Sequence, residues 1–527
     1  MTRRSQSGHD DGTADSDATW LALVLLAPMV FTSWNFVAFF AVLLAAMALL
    51  PGRTPRQRFL LVASSFFYGH SQAWYLLLLA TPSVIDYVCS IRIEDSDDEN
   101  VRKRWLRFSV ISNLGLLGYF KYANFFAENF AELLGLNVKH FDILLPVGIS
   151  FYTFKTLSYT IDVYRRELKA CRDWAQYAMF VTYFPELVAG PIVRASVFLP
   201  QMGRSLKPSW SRAVVGSQVI LLGVTKKLLI ADRLAIFVDP VFANPALYDG
   251  FTVATAVVAY SLQIYCDFSG YSDIAIGVSR IIGFDLPENF DMPYIATSIT
   301  DFWRRWHITL SSWLRDYLYI PLGGNRKGPR RTMINLFLTM LLGGLWHGAS
   351  WTFVFWGFLH GIGLAVHKQW MQMVPKSSSK LRVVFGWATT YIFVCIAWVF
   401  FRAADFGTAL LILRKIVGVE GGGARFVFLP LFLLLPLVVV AHMIGISAAR
   451  HGRLPWLKPR RVAVPSWARR VYAAAGSQFA VRPHAAAGIY VLLPLPSVVG
   501  TFVLTLWVLV VYLFASLSTS PFIYFQF

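Results

Sequence analysis

The chain has 527 residues, of which 56% are hydrophobic, 16% aromatic and only 15% charged. Soluble globular proteins carry about 25% charged residues, so this composition excludes an ordinary soluble fold and favours a membrane protein. A net charge of +19 would suggest a nucleic-acid partner in a soluble protein. We expect no nucleic acid here, because the Lys and Arg residues lie in short stretches between apolar runs.

The N-terminal segment predicts the orientation of the chain. Residues 1–19 are polar and form a predicted tail, whereas residues 20–50 are apolar and uncharged. This run is longer than a signal-peptide core and follows no basic segment, so we interpret it as a retained transmembrane helix. Three arginines follow it within residues 52–58. By the positive-inside rule they predict a cytoplasmic loop, and therefore a periplasmic N-terminus.

The remaining apolar runs predict many further crossings. They span residues 59–91, 105–120, 142–163, 175–199, 213–231, 251–282, 332–347, 350–366, 383–401, 427–447 and 487–515. At about 20 residues per crossing, they predict an all-α polytopic membrane protein with roughly 11 to 13 transmembrane and re-entrant helices. We divide the chain into the tail 1–19, a transmembrane catalytic core 20–405 and a C-terminal transmembrane region 406–527 with a basic loop at 450–484.

The sequence indicates neither a metal site nor a transporter built from repeats. The four cysteines lie far apart and show no spacing typical of zinc ligands, so we expect no metal site. No internal repeat is visible, which disfavours a transporter built from repeats.

A first group of candidate site residues lies in the polar stretch 301–325. On a continuous helix, one face would carry Arg304, His307, Ser311 and Arg315 at spacings of three and four residues, with Asp316 next in sequence. We expect these side chains to contact the donor or the acceptor. An amphipathic surface helix with arginines reaching towards the headgroups accounts for the same pattern.

The second group lies in the apolar run that ends at His347. If the helix starts near Arg331, His347 lies 16 residues further on, about 24 Å along the axis and inside the hydrocarbon layer. An ionisable group at that depth indicates either a functional site or a structural hydrogen bond between helices. The adjacent Trp346 is a further candidate for substrate contact.

In the run 251–282, Gln263 and Asp267 share a helix face and either line a tunnel or bond neighbouring helices.

The residues at these positions favour general-base chemistry. No G-x-S-x-G, H-E-x-x-H or P-loop motif occurs, so serine hydrolases, zinc proteases and nucleotide hydrolases lose support. A neutral, buried histidine can take the proton of a hydroxyl group that attacks a thioester.

Six segments carry distinctive motifs: LPVGISFYTF (145–154), YFPELVAGPI (183–192), YSLQIYCDFSGYSD (260–273), residues 302–325, LGGLWHGASW (342–351) and AWVFFR (397–402). Together they resemble the membrane-bound O-acyltransferase family, in its bacterial branch that O-acetylates exopolysaccharides such as alginate. The resemblance implies an enzyme of the inner membrane with His347 at the position of the catalytic histidine. It places His307 at the position of either the family's second histidine or its variable Asn/His site. It also implies a core with a tunnel, and no bound cofactor. An acyl-CoA or carrier thioester would enter from the cytoplasm and meet an acceptor hydroxyl from the opposite face.

We therefore expect a membrane O-acyltransferase that uses acetyl-CoA, or another acyl thioester, to O-acetylate an extracellular polysaccharide. The expected partners are the lipid bilayer, the donor, and either the alginate- or cellulose-like polymer or a periplasmic acetyltransferase that relays the acetyl group. Within the same family, the alternative is D-alanyl transfer to teichoic acid. Outside it, the alternatives are a polysaccharide transporter and an export scaffold without enzymatic activity.

Overall fold

The structure is a computed structural model that describes residues 29–70, 72–136, 140–187, 190–204, 206–374, 379–451 and 498–515, together with Phe522. The secondary structure in these ranges consists of helices joined by loops, and its β-structure is a single isolated bridge between Tyr248 and Ala424. The predicted tail 1–19, the start of the run 20–50 and nearly all of the basic loop 450–484 lie outside the described residues.

Within the described residues, twenty α-helices can be followed in chain order. They are α1 (Trp34–Leu49), α2 (Arg53–Gly69), α3 (Tyr75–Glu94), α4 (Glu99–Leu117), α5 (Ala123–Leu134), α6 (Ile149–Tyr164), α7 (Trp174–Thr182), α8 (Phe184–Leu187), α9 (Ala195–Phe198), α10 (Trp210–Val224), α11 (Asp232–Ala243), α12 (Gly250–Ile282), α13 (Ile299–Arg305), α14 (Ile308–Leu314), α15 (Gly328–His347), α16 (Trp351–Met373), α17 (Lys380–Arg402), α18 (Phe406–Ile416), α19 (Leu429–His451) and α20 (Val498–Phe514). Wider π-helical turns continue three of them, at Gly118–Tyr122, Thr225–Ala231 and Arg315–Tyr319.

Local sequence explains where many of these helices begin. Asp98, Asp249 and Asp405 each precede a helix, and their side chains accept hydrogen bonds from backbone N–H groups of the first turn. Such caps satisfy donors that have no partner within the helix. At the other end of α5, Gly135 adopts a left-handed conformation that a glycine reaches without steric cost.

The prediction of an all-α polytopic membrane protein is confirmed. In the described part of the chain, four helical segments are long and apolar enough to cross a bilayer: α3, the continuous run 210–243 that contains α10 and α11, α12, and α17. Shorter apolar helices occur at 34–49, 429–443 and 500–514. The number of full crossings by this criterion is therefore smaller than the number of apolar runs in the sequence.

Many of the exposed charged residues lie at two ends of the molecule. One end, which we call the basic end, carries the start of α2, the 165–172 and 204–212 segments and the turn 326–331. Hydrogen bonds and ion pairs join its parts: Arg53 to the Gly203 carbonyl, Arg172 to Asp95, and Arg204 and Arg212 to Asp285. At the opposite end, Arg402 pairs with Asp239 and Arg425 with Asp249.

Helix α12 forms the centre of the core. It runs 33 residues between the two ends and is buried along most of its length, packed against α10, α11 and α17. Gly223 of α10 and Gly270 of α12 lie in mutual backbone contact, because a Cβ on either would collide with the other helix. Helices α13 and α14 have seven residues each, about 10 Å, and are too short to cross the bilayer.

Candidate active site

His347 is the last residue of α15 and is 5% exposed. Three rings surround its imidazole, with the centroids of Trp346, Trp356 and Phe401 at 5.0, 4.9 and 5.2 Å. Because α15 starts at the basic turn and has 20 residues, His347 lies about 30 Å from the basic end. The imidazole therefore sits in an aromatic enclosure close to the opposite end of the molecule.

Two residues that sequence reasoning missed hold the end of α15 in place. The Lys121 ammonium group donates hydrogen bonds to the carbonyl oxygens of Trp346 (2.6 Å) and His347 (3.0 Å). The Tyr122 hydroxyl donates to the Leu345 carbonyl at 2.8 Å. Carbonyl groups in the last turn of a helix lack partners within the helix and carry partial negative charge, which a lysine satisfies. Lys121 thereby fixes the backbone that carries His347.

The second histidine, His307, does not lie on the continuous helix that we expected. The chain leaves the helix at Trp306, and His307 takes a left-handed conformation with φ 43° and ψ 56° before α14 begins. The predicted single helix is wrong here because contacts with Asn289 stabilise the break. His307 Nδ1 lies 3.0 Å from Asn289 Oδ1, and the Ile308 N–H donates to the Asn289 carbonyl.

The break brings the two histidines close together. His307 is fully buried, with its ring at 6.5 Å from Trp346 and at 4.6 Å from Phe268. Trp346 thus contacts both imidazoles, and His307, Lys121 and His360 all lie within electrostatic range of His347. Residues 40 positions apart in sequence therefore border one aromatic enclosure.

The other side chains of the predicted polar face do not join His307. Arg304 is exposed at the end of α13. The Ser311 hydroxyl donates to the Trp306 carbonyl at 3.2 Å, and Arg315 forms an ion pair with Asp316 at 2.6 Å. Because the helix breaks at Trp306, the spacings of three and four residues no longer place these groups on one face.

Arg315 and Asp316 belong instead to a cluster at the basic end, which also contains Arg165, Arg194 and Tyr317. Arg194 pairs with Asp316 at 2.5 Å, and Arg165 donates to the Asp316 carbonyl at 3.1 Å. Both Arg165 and Arg194 lie over the Tyr317 ring, at 5.3 and 5.1 Å. Burial alone would raise the pKa of Asp316, but hydrogen bonds from Arg315 and Arg194 hold it below the ordinary value of an aspartate. We call this group the arginine cluster.

A row of aromatic rings connects the arginine cluster with the histidines. Phe154 stacks on Trp346 at 5.1 Å and on Trp313 at 3.8 Å, with interplanar angles of 13° and 7°. Trp313 in turn contacts Tyr317 at 5.1 Å. Trp346, predicted as a substrate contact, therefore stands where this row meets the histidines.

Gln263 and Asp267 occupy a different position, inside α12. Asp267 forms a buried ion pair with Lys227 at 2.7 Å, and Lys227 also pairs with Asp232 at 2.9 Å. The Gln263 side chain is buried, and its Oε1 has no hydrogen-bond partner within the described residues. Of the two alternatives for Asp267, the structure therefore favours a bond between neighbouring helices.

A third histidine, His360, lies close to the same enclosure. It is fully buried in α16, its Nδ1 accepts a hydrogen bond from Trp303 Nε1 at 3.2 Å, and Trp356 contacts both it and His347. Its position follows from packing of α13, α15 and α16. In the sequence it is a weaker candidate than His347, because its apolar run has a glycine on one side of it only.

No group of three or more His, Cys, Asp or Glu residues with the geometry of a metal site occurs in the described parts of the chain. The groups around His347 are rings, amides, a lysine and two further histidines. Their chemistry is that of proton transfer and hydrogen bonding.

Comparisons with known proteins agree with this architecture. The sequence profile of the membrane-bound O-acyltransferase family matches residues 12–406. The probable alginate O-acetylase AlgI of Pseudomonas aeruginosa is 43% identical over 389 residues, which cover 72% of this chain and 73% of the relative. The peptidoglycan O-acetyltransferase of Helicobacter pylori is 37% identical over 388 residues, covering 69% and 74%. The teichoic acid D-alanyltransferase of Streptococcus thermophilus is 30% identical over 243 residues, covering 43% and 57%.

The family profile spans well over half of the chain and contains both histidines, the row of rings and the arginine cluster. These residues lie in an all-helical membrane protein, as the sequence predicted. The chain therefore belongs to the membrane-bound O-acyltransferase family and is a membrane enzyme that transfers acyl groups.

Proposed function

We propose that this enzyme transfers an acetyl group from a thioester donor to a hydroxyl acceptor, and that the final product is an O-acetylated extracellular polysaccharide. The observation that carries the proposal is the position of His347 and His307. Both border the Trp346 ring, at one end of the row of rings that leads to the arginine cluster. Donor and acceptor can thus approach the same enclosure from opposite ends.

The charge distribution supports an orientation in the inner membrane. Among the described loops, the basic end carries the arginines of the segments 165–172, 204–212 and 326–331, which the positive-inside rule assigns to the cytoplasm. The start of α2, at Arg53, belongs to this end. A single crossing before it, as the apolar run 20–50 predicts, places the N-terminus in the periplasm.

His347 is proposed as the general base. The acceptor oxygen attacks the thioester carbonyl carbon while His347 takes the hydroxyl proton, so a carbon–oxygen bond forms. The carbon–sulfur bond then breaks, and the departing sulfur takes the proton from His347. Positioned general bases contribute about 10²–10⁴-fold to such rates. Lys121 supports this role by holding the two backbone carbonyl groups that flank the Cα of His347, those of Trp346 and of His347 itself.

The arginine cluster is the proposed entrance for the donor. Arginine side chains bind phosphate groups through charge-assisted hydrogen bonds, and acetyl-CoA carries several phosphates. Arg315 is 62% exposed and Arg194 27%, so both are accessible from the basic end. The acyl-bearing arm of the donor would then follow the rings of Trp313 and Phe154 towards Trp346. Arg304, exposed at the end of α13, forms none of the bonds of this cluster and is not part of the proposed entrance.

The names of the relatives support a polysaccharide product. An alginate O-acetylase and a peptidoglycan O-acetyltransferase are both similar to this chain over more than two thirds of their length. We propose direct transfer to an alginate- or cellulose-like polymer, or a relay through a periplasmic acetyltransferase. The similarity to a teichoic acid D-alanyltransferase covers less than half of this chain, so D-alanyl transfer is the weaker candidate.

We assign catalysis to the predicted core, residues 20–405. The region 406–527 would support this core by packing into it, as Phe522 does where it contacts Tyr271 of α12 at 4.2 Å.

The proposal is tested with membranes from cells that produce the full chain. Labelled acetyl-CoA should label the polymer or a periplasmic protein, and His347→Ala should abolish labelling while the protein stays in the membrane. His367→Gln serves as the matched control, since His367 lies outside the enclosure and contacts Thr300. Labelling that persists in His347→Ala would refute the assignment of the base. Transfer from a D-alanyl thioester, without transfer from acetyl-CoA, would establish the alternative.

A further inference from the structure

Asn289 bonds to three successive residues of the His307 segment, through its side chain and its backbone carbonyl. It lies between α12 and α13 and is 1% exposed. Its Oδ1 lies 3.0 Å from His307 Nδ1 and accepts hydrogen bonds from the backbone N–H and the hydroxyl of Thr309. Its Nδ2 donates to the Ser272 hydroxyl of α12, and its backbone carbonyl accepts from Ile308.

These contacts fix which nitrogen of His307 carries the proton. A backbone N–H can only donate, so the atom of Asn289 that faces Thr309 is the carbonyl oxygen and not the amide nitrogen. The same oxygen faces His307 Nδ1. Because a carbonyl oxygen only accepts, Nδ1 must carry the proton, and in the neutral ring Nε2 keeps its lone pair.

The lone pair on Nε2 has no hydrogen-bond partner in the part of the chain that the structure describes. Nε2 is buried and makes no hydrogen bond within the described residues. The groups that face the imidazole are the rings of Phe268 from α12, Phe290 from the loop and Trp346 from α15. Among the titratable groups, His347 lies within electrostatic range of His307. A buried acceptor without a partner is costly, which indicates that a ligand completes it.

The backbone conformation of His307 supports the same conclusion. A left-handed conformation costs a residue other than glycine about 1–2 kcal/mol, and such strain persists where surrounding contacts impose it. Asn289 supplies these contacts, since it bonds the backbone of the two residues that follow His307. The strained turn therefore serves to aim the imidazole.

We propose that Asn289 is a positioning residue for acyl transfer, which holds His307 in the Nδ1-protonated form so that Nε2 accepts a hydrogen bond from an O–H or N–H group of a substrate. This inference rests on the proposed function, in which His307 assists His347. It assigns His307 the role of an acceptor towards the substrate. A neutral His307 in this form does not donate to the thioester carbonyl oxygen.

The first test measures the tautomer directly and needs no activity. The full chain, labelled with ¹⁵N-histidine and reconstituted in lipid, is examined by solid-state NMR, with the His307 signals assigned by their loss in His307→Gly. We expect Nδ1 protonated and Nε2 unprotonated in the wild type. Asn289→Leu should weaken this preference, whereas Asn289→Asp should keep it. An Nε2-protonated His307 in the wild type would overturn the proposal, and so would a tautomer unchanged in Asn289→Leu.

The second test measures acetyl transfer from labelled acetyl-CoA as a function of pH. Asn289→Leu should lower the maximal rate at least about 10-fold, within the range of lost acid–base assistance. Asn289→Asp should retain activity with its acidic limb moved to higher pH, because a carboxylate makes the imidazole more basic. Ser272→Ala is the matched control, because it removes a hydrogen bond of Asn289 but not the one to His307. Its maximal rate should fall by less than about 3-fold, which is much smaller than the decrease expected when acid–base assistance is lost.

Double variants separate positioning from folding. If Asn289 acts through His307, adding Asn289→Leu to His307→Gly should cause no further loss of rate. Losses that multiply would show that Asn289 only supports the fold and would refute the positioning role. Failure of the proposed function has a different signature, namely unchanged labelling in His347→Ala with the NMR result unaffected.

Discussion

The contact between α15 and α16 gives the sharpest prediction for stability and activity. Gly344 lies three residues before His347, and a Cβ there would collide with the Phe353 carbonyl oxygen and lie 3.0 Å from the Gly357 Cα. Carbon atoms in ordinary contact are about 3.5–4.0 Å apart, so Gly344→Ala must move α16 by roughly 0.5 Å or more. Gly343→Ala is a matched control, since its new Cβ would meet only the end of the Leu314 side chain at 3.3 Å.

Both substitutions gain the same helix propensity from alanine, so their difference isolates the packing between helices. We expect Gly344→Ala to be less stable than Gly343→Ala by about 1–3 kcal/mol, the usual cost of overpacking. We also expect it to transfer acetyl groups at least about 10-fold more slowly, because Trp356, which contacts His347, moves with Gly357 and small displacements are costly in active sites. Thermal unfolding in detergent and acetyl transfer in membranes measure the two effects. Equal unfolding temperatures and equal rates for the two variants would refute the reasoning.

Three further predictions concern charged groups. Lys121→Met should slow acyl transfer and lower the unfolding temperature, because it leaves two carbonyl groups at the end of α15 without their donor. Each hydrogen bond to a charged group contributes about 1.5–3 kcal/mol. A variant that transfers acetyl groups at the wild-type rate would contradict this prediction. Lys155 and Glu186 form a buried ion pair at 2.6 Å. Lys155→Met should therefore destabilise the protein by about 3–5 kcal/mol, because it leaves the Glu186 carboxylate buried and unpaired. Adding Glu186→Gln should restore much of this stability, which thermal unfolding of both variants measures. Arg194→Ala should raise the KM for acetyl-CoA with little effect on kcat, whereas Arg304→Ala should change neither constant. If the two variants have the same KM for acetyl-CoA, Arg194 does not contact the donor.

The sequence predicted the residues at the centre of the proposed site but not their arrangement. His347 and His307 were identified because polar groups are rare in apolar runs and because the surrounding motifs resemble a known family. The continuous helix drawn through His307 was wrong, since helical periodicity assumes that no distant residue competes for the backbone. Asn289, eighteen positions earlier, does compete, and it pairs with His307 Nδ1 and with the start of α14.

The sequence alone therefore determined the class of the protein. Hydropathy and loop charges respond to the bilayer, which acts on every segment regardless of its neighbours. Only the tertiary structure decided how the site is built. Lys121 meets the end of α15 across 225 positions of sequence, and Arg194 meets Asp316 across 122. Such contacts leave no local periodicity, because they arise only when helices pack and a buried donor or charge must find its partner.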